Sequence, residues 1–298
     1  MSRIMEKLTY ENERGESVNF SRASLYHVNF KDVSGLSDIR NAIYSFNSMG
    51  QDGDTYLGNR IESRDIEIVG YIRERDKQRA QTLRRNLNHI LNPQHTAQLI
   101  YEQGDHKRVI GCTVDNAPVF KREPIFEQFT IQLCCLNPFW REENETRADI
   151  AAWIGSFEFP VPQGLEIPIA GTWEIGFREP SLIVNVYNGG DVRSGLRVDF
   201  RALGVVTNPY LLNVITQEFI KLNLTMEAGD VLTVNTGYGQ KEVKLRRDGI
   251  TTDAFRYLDV DSSYLQLDVG DNLFRYDADS NLESLEVTIY HNNLFLGV

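Results

Sequence analysis

Phe129-Thr130-Ile131-Gln132-Leu133-Cys134-Cys135-Leu136-Asn137-Pro138-Phe139-Trp140 carries the reading of the fold. Phe129, Ile131 and Leu133 alternate with Thr130, Gln132 and Cys134, the period of a strand with one buried face. Asn137-Pro138 ends that strand, since proline has no N–H to give to a ladder. The charged run Arg141-Glu142-Glu143-Asn144-Glu145 that follows is the composition of a domain exit. A boundary is therefore expected near residue 145, with domains at 1–145 and 146–298, and Asn137, Pro138, Phe139 and Trp140 are expected to anchor the junction.

Upstream, Ser17–Phe20, Leu25–Phe30 and Ala42–Phe46 read as meandering antiparallel strands separated by polar turns. The stretch Asn47–Asn59 is polar, rich in glycine and longer than a tight hairpin requires, so it reads as a projecting loop. Within it Gly50, Gln51, Asp52, Gly53, Asp54, Thr55 and Tyr56 are the candidate subunit-interface residues. Ile61, Ile66, Ile68 and Tyr71 or Ile72 mark a strand that runs into one helix, Arg73–Leu91. Ala80, Leu83, Leu87 and Ile90 fall on one face of that helix, arginines cover the rest, and Asn92-Pro93 stops it. Glu74 and Asp76 interleave the arginines and no aromatics accompany them, so the basic face is expected to meet solvent or a neighbouring subunit and not nucleic acid. Gln98–Glu102 and Arg108–Val114 flank a hairpin loop centred on Gly104-Asp105.

Beyond residue 145 no helical period persists. Ser181–Asn188, Gly195–Leu203, Glu218–Met226, Val231–Asn235, Lys241–Leu245 and Leu285–Tyr290 are strand-length, and turn signals such as Asn188-Gly189-Gly190-Asp191, Asn208-Pro209 and Gly237-Tyr238-Gly239 separate them. This rhythm is that of a β-sandwich. The expected fold is mainly β: an N-terminal barrel or sandwich-like domain with one helix, then a second sandwich.

Composition narrows the function classes. The chain has 298 residues, 41% hydrophobic and 24% charged, which is enough for two cores. No apolar run approaches the ~18 residues of a membrane span, and Met1–Lys7 lacks the apolar core of a signal peptide, so neither membrane insertion nor export is expected. The net charge of −11 lies mostly in the second half, −9 against −2, and disfavours specific nucleic-acid binding. Cys112, Cys134 and Cys135 sit in apolar strands and read as buried thiols; vicinal Cys134 and Cys135 point to opposite faces. His27, His89, His95, His106 and His291 show no ligand spacing, Asp52 and Asp54 lack the remaining oxygens of a calcium loop, and Gly155-Ser156 is not a nucleophile elbow. No catalytic residue, metal site or cofactor is expected.

The ordered set Asp52-Gly53, Gly58, Arg64 to Gly70, Leu91-Asn92-Pro93 and Cys135-Leu136-Asn137-Pro138-Phe139-Trp140 resembles the N-terminal half of siphophage-type distal tail proteins. Asn185-Val186-Tyr187-Asn188 with Gly190-Asp191, Gly204 with Asn208-Pro209, Met226 with Ala228-Gly229-Asp230, Leu267 with Gly270-Asp271-Asn272 and the closing Gly297-Val298 are similar, in order, to that family's second domain. The resemblance implies a hexameric ring at the tail tip, built by tail-tube-like N-terminal domains, with outer galectin-like sandwiches. It also implies virion location after assembly in the host cytoplasm, and contacts with the tail tube protein, the tail-associated baseplate hub protein and receptor-binding or other baseplate proteins, with DNA passing through the ring. The rival reading is a glycan-binding β-sandwich that attaches to the host cell wall, for which Trp173 and Tyr238 are the contact candidates among Trp153, Trp173, Tyr238, Tyr257 and Tyr264.

Overall fold

The computed structural model describes residues 6–122, 126–150 and 183–298, together with the backbone of Trp153–Ile154 and Phe177–Arg178. Two compact units divide it, Met1–Asn144 with Leu294–Val298, and Glu145–Asn293.

The first unit is built from β1 (Glu6–Asn12), β2 (Ser17–Ser21), β3 (Tyr26–Ser34), β4 (Asn41–Phe46), β5 (Thr55–Ile61), β6 (Arg64–Ile72), α1 (Lys77–Ile90), β7 (Thr96–Gln103), β8 (His106–Arg122), β9 (Glu127–Cys135) and β10 (Trp140–Arg141). Seven of the strands run in the order β8-β7-β1-β2-β3-β6-β9, and β9 pairs again with β8 to close a barrel. Closure removes the free sheet edges that would otherwise template aggregation. Alternation along each strand fills the interior: Leu8 and Tyr10, Ile66, Ile68 and Ile72, and Phe129, Ile131 and Leu133 all enter one buried cluster. Gly70 is required where β6 crosses β3 and β9, because a Cβ there would stand 2.5 Å from the Phe129 ring and 2.7 Å from the His27 carbonyl.

Helix α1 begins four residues later than its arginines suggest. The Arg73 N–H still donates to the Leu25 carbonyl at 2.7 Å, and Asp76, in extended backbone, accepts from the Gln78 N–H as the N-cap. Leu87 and Ile90 are buried in the barrel cluster, and the Tyr26 hydroxyl donates to the Leu83 carbonyl at 3.0 Å, so the helix is fixed against β3.

Three readings from sequence change. Ser17–Phe20 and Leu25–Phe30 are strands but not an antiparallel pair, because β2 and β3 run parallel with Phe20 opposite Tyr26, whereas Ala42–Phe46 is the antiparallel strand expected, paired only with β5 as a separate two-stranded sheet. The last five residues of the expected loop are regular, since Thr55–Ile61 forms β5 and leaves residues 47–54 as the tip. Cys134 is only half-buried, because it faces away from the barrel interior that holds Cys112 and Cys135.

In the second unit the strands Thr146–Asp149, Leu285–His291, Ser194–Ala202, Val231–Asn235, Glu242–Arg247 and Ile250–Asp253 make one antiparallel sheet in that order. Ile183–Asn188, Gly270–Ser280, Val206–Asn213 and Phe219–Lys221 make the other. Val198, Phe200, Val234 and Ile289 from the first sheet and Val186, Leu211, Phe274 and Tyr276 from the second share one core, which defines an antiparallel sandwich. Two strands run where the sequence reads turns. Asn208-Pro209 lies inside Val206–Asn213, with Asn208 at φ 50° supplying the irregularity, and Gly270-Asp271-Asn272 opens the strand Gly270–Ser280.

The last residues return to the first unit, although the sequence places them in the second. Leu294–Phe295 pairs with β10, with Trp140 opposite Phe295, because β10 leaves an edge open beside β8.

Candidate functional site

The described surface feature that the folded unit leaves least satisfied is the β4–β5 arm. Gly35, at φ 83°, turns the chain out of β3; a Cβ there would fall 2.1 Å from the Asp65 carbonyl oxygen, so only glycine fits the exit. The base is clasped by the Glu62 N–H donating to the Arg40 carbonyl at 2.9 Å and by an Arg40–Asp65 ion pair at 3.2 Å. From there the register runs from Asn41 opposite Ile61 to Phe46 opposite Thr55, with a bulge after Tyr44.

No residue from 41 to 61 is buried. Ile43 is 65% exposed, Phe46 57% and Leu57 67%, and Tyr44, Met49 and Tyr56 are exposed as well. Tyr44 and Phe46 project to one face of the hairpin and Ile43 to the other, so both faces are apolar. A lone two-stranded hairpin is marginal in water, and the arm exposes apolar side chains on both faces.

The candidates Gly50, Gln51, Asp52, Gly53, Asp54, Thr55 and Tyr56 all lie at the exposed tip. Polar bonds shape that tip: the Ser45 hydroxyl donates to Asp54 at 2.9 Å, the Gln51 amide to Thr55 at 3.0 Å, and the Tyr56 hydroxyl to the Asn59 side chain. Gly50 and Gly53 take φ of 83° and 77°, which the turns demand. The large exposed apolar residues of the arm include Ile43, Tyr44, Phe46 and Leu57, of which the sequence reading placed the first three in a strand and Leu57 within the loop. Their signal was present in Ala42-Ile43-Tyr44 and Tyr56-Leu57, where adjacent apolar residues break the polar alternation of a strand with one wet face.

Asn137, Pro138, Phe139 and Trp140 are brought together inside the first unit. Trp140 is fully buried in the barrel cluster and its indole N–H donates to the Leu36 carbonyl at 3.0 Å. The Pro138 carbonyl accepts from Arg64 at 2.8 Å, and the Asn137 side chain accepts from the Phe139 N–H at 3.3 Å.

Of the glycan candidates, Trp173 and the Trp153 side chain lie outside the described residues. Tyr238 is 78% exposed on the Gly237–Gly239 turn, and the Lys241 ammonium sits between it and Tyr264, 5.9 and 4.3 Å from the two ring centroids. Tyr257 instead carries the Arg256 guanidinium on its ring. A lysine between two rings is a cation–π cluster, and it places a charge where a stacked sugar would sit. Among the described residues no group of three or more His, Cys, Asp or Glu side chains is placed to hold a metal ion, and no helix is long and apolar enough to cross a membrane.

In chain order the described residues form a barrel with a projecting arm and then a two-sheet sandwich. Residues 19–135 match the phage tail protein RIFT-related domain and residues 189–295 match the C-terminal domain of the siphovirus-type tail component. The chain belongs to the siphophage-type distal tail protein family, whose members are baseplate hub components, and it is thereby a structural part of the virion. Its fold is similar to that of phage SPP1 Dit, solved as a paradigm of the hub adsorption apparatus in phages infecting Gram-positive bacteria, with 14% identity, a TM-score of 0.66, and 97% of this chain and 99% of that chain covered. It is also similar to a chain of the phage P2 baseplate in its activated conformation with Ca, at 10% identity and a TM-score of 0.53, covering 96% of this chain and 97% of that one. The same baseplate with Sr gives 12% identity and the same TM-score of 0.53, covering 96% and 97% of the two chains. At these identities the likeness is one of fold. No curated protein sequence matches the chain.

Proposed function

We propose that copies of this chain close into a hexameric ring at the distal end of the tail, with the β4–β5 arm of each copy seated on its neighbour. The observation that supports this is the arm itself: six large apolar or aromatic side chains, exposed on a hairpin that pairs with no barrel strand. A ring of identical subunits meets such a demand because every copy supplies one arm and one seat, leaving no arm uncovered. In this reading the ring joins the tail tube protein to the tail-associated baseplate hub protein, the sandwich units offer attachment to receptor-binding or other baseplate proteins, and DNA passes through without specific binding. The role is mechanical, with no catalytic step.

Deletion of Gly50–Tyr56 tests the reading. The barrel core lies elsewhere, so the variant should fold with the circular dichroism of the parent but fail to assemble on tails or, where the parent forms rings in solution, remain monomeric by light scattering. Normal assembly and infectivity without the segment would remove the arm from the interface.

A further inference from the structure

Cys112 and Cys135 stand on the two strands that close the barrel. Thr113 of β8 pairs with Cys134 of β9 in antiparallel register, so the next position along each strand sets Cys112 opposite Cys135. Both side chains turn inward into the same apolar cluster, and each is buried, whereas Cys134 faces the other way. Cys135 stands close enough to Cys112 to add to the rise of its pKa. Directly opposed residues of antiparallel strands have Cα atoms roughly 4.5–5.5 Å apart, within the roughly 4.4–6.8 Å that a disulfide spans.

We propose that Cys112 and Cys135 are a disulfide-forming pair, reduced in the structure, that staples the β8–β9 seam of the barrel once the chain meets a small-molecule disulfide oxidant. The thiolate of one cysteine attacks the oxidant and releases one reduced small thiol. The thiolate of the second then attacks the mixed disulfide and releases the other. Two protein S–H bonds become one S–S bond, and the oxidant gains the two electrons and two protons. A virion persists outside cells, beyond the thiol systems that keep cytosolic cysteines reduced, so the chain meets the conditions under which such a bond lasts.

Burial also sets when the bond forms. It pushes the Cys135 thiol up to about 12 against the opposing pull of the Arg64 guanidinium, and it raises Cys112 further, with Cys135 adding to the rise. In the closed barrel both groups stay protonated at neutral pH and do not react. The exchange therefore takes place while the β8–β9 seam is transiently open, whether as the chain folds or in a later local opening of the barrel outside the cell.

The test is refolding of the full chain from denaturant in a buffer of reduced and oxidised glutathione, followed by acid quenching, intact mass and non-reducing peptide mapping. The expected product has lost two hydrogen atoms, carries Cys112 linked to Cys135, and unfolds at higher denaturant than the chain refolded with reductant. Cys134→Ser should retain the cross-link, and Cys112→Ser or Cys135→Ser should lose it. Mapping of the parent chain keeps the proposal testable even if either buried-site variant misfolds. Cross-links through Cys134, glutathione adducts without an internal bond, or a chain that remains fully reduced would each overturn it.

Discussion

The guanidinium of Arg64 donates to the main-chain carbonyl of Leu296, 232 positions away in sequence. Arg64 is 2% exposed, and its remaining hydrogen bonds go to the carbonyls of Pro138, Gly35 and Leu36 at 2.8, 2.9 and 2.8 Å. Its fork thus fixes three segments at once: the exit toward the arm, the approach to β10 and the returning C-terminal residues. Burial lowers the Arg64 pKa, but Asp38 nearby supports the charge. An arginine retains its proton in any case, and the carbonyl oxygens take up its donors.

Arg64→Met should destabilise the first unit by about 3 kcal/mol or more, because hydrogen bonds to a charged group contribute about 1.5–3 kcal/mol each and the freed carbonyls lie where water has poor access. Arg64→Lys should recover little of this, since an ammonium cannot spread over carbonyls in a planar fork. Denaturant unfolding of both variants measures the effect. Two midpoints equal to that of the parent would show that the cluster is decorative.

Trp140→Ala should cost about 3–5 kcal/mol, the usual range for emptying a buried aromatic site. Trp140→Phe keeps most of the volume but loses the bond to the Leu36 carbonyl, and should cost much less than the alanine variant. Thermal melts of the pair separate packing from hydrogen bonding. An alanine variant melting with the parent would place the indole outside the core, contrary to its complete burial.

Asp230 carries an acid-sensitive contribution in the second unit. Burial alone would raise its pKa, but the bonds from Arg247 and from the Glu227 N–H outweigh burial and hold it below the usual carboxylate range. A lowered folded pKa means stability that is complete above the unfolded value of about 3.9 and is lost as pH falls through the folded value. Arg247 is more than one-third exposed, so screening limits the contribution to about 1 kcal/mol or less. Urea midpoints for the second unit should drop as pH falls below the ordinary aspartate value of about 3.9, and Asp230→Asn should flatten that part of the profile. An asparagine variant with the parent's full acid dependence would assign the effect to other carboxylates.

The arm should separate assembly from stability. Phe46→Ser and Leu57→Ser replace exposed side chains and should change unfolding free energy by no more than about 0.5 kcal/mol. In the ring the same positions should each weaken association by about 2 kcal/mol or more, the scale of a well-packed interface anchor. Chemical denaturation measures the first quantity, and tail assembly or concentration-dependent light scattering measures the second. Large losses in both would mean that the arm belongs to the fold of the single subunit.

Local pattern was sufficient for the strand Phe129–Cys135 and for the existence of α1, because a period of 2 and a period of 3.6 are written in neighbouring residues. It also placed the glycine-rich tip of the arm. Pairing was decided elsewhere. That β9 returns to β8, that Leu294–Phe295 pairs with β10, that Arg64 reaches Leu296 and that β4 and β5 pair with each other and leave the barrel are facts about partners many residues apart. A strand's alternation states which face is apolar but not which edge or surface will meet it, so Tyr44 and Phe46 read alike whether they fill a core or await a neighbouring subunit; only closure of the barrel without them leaves them in water.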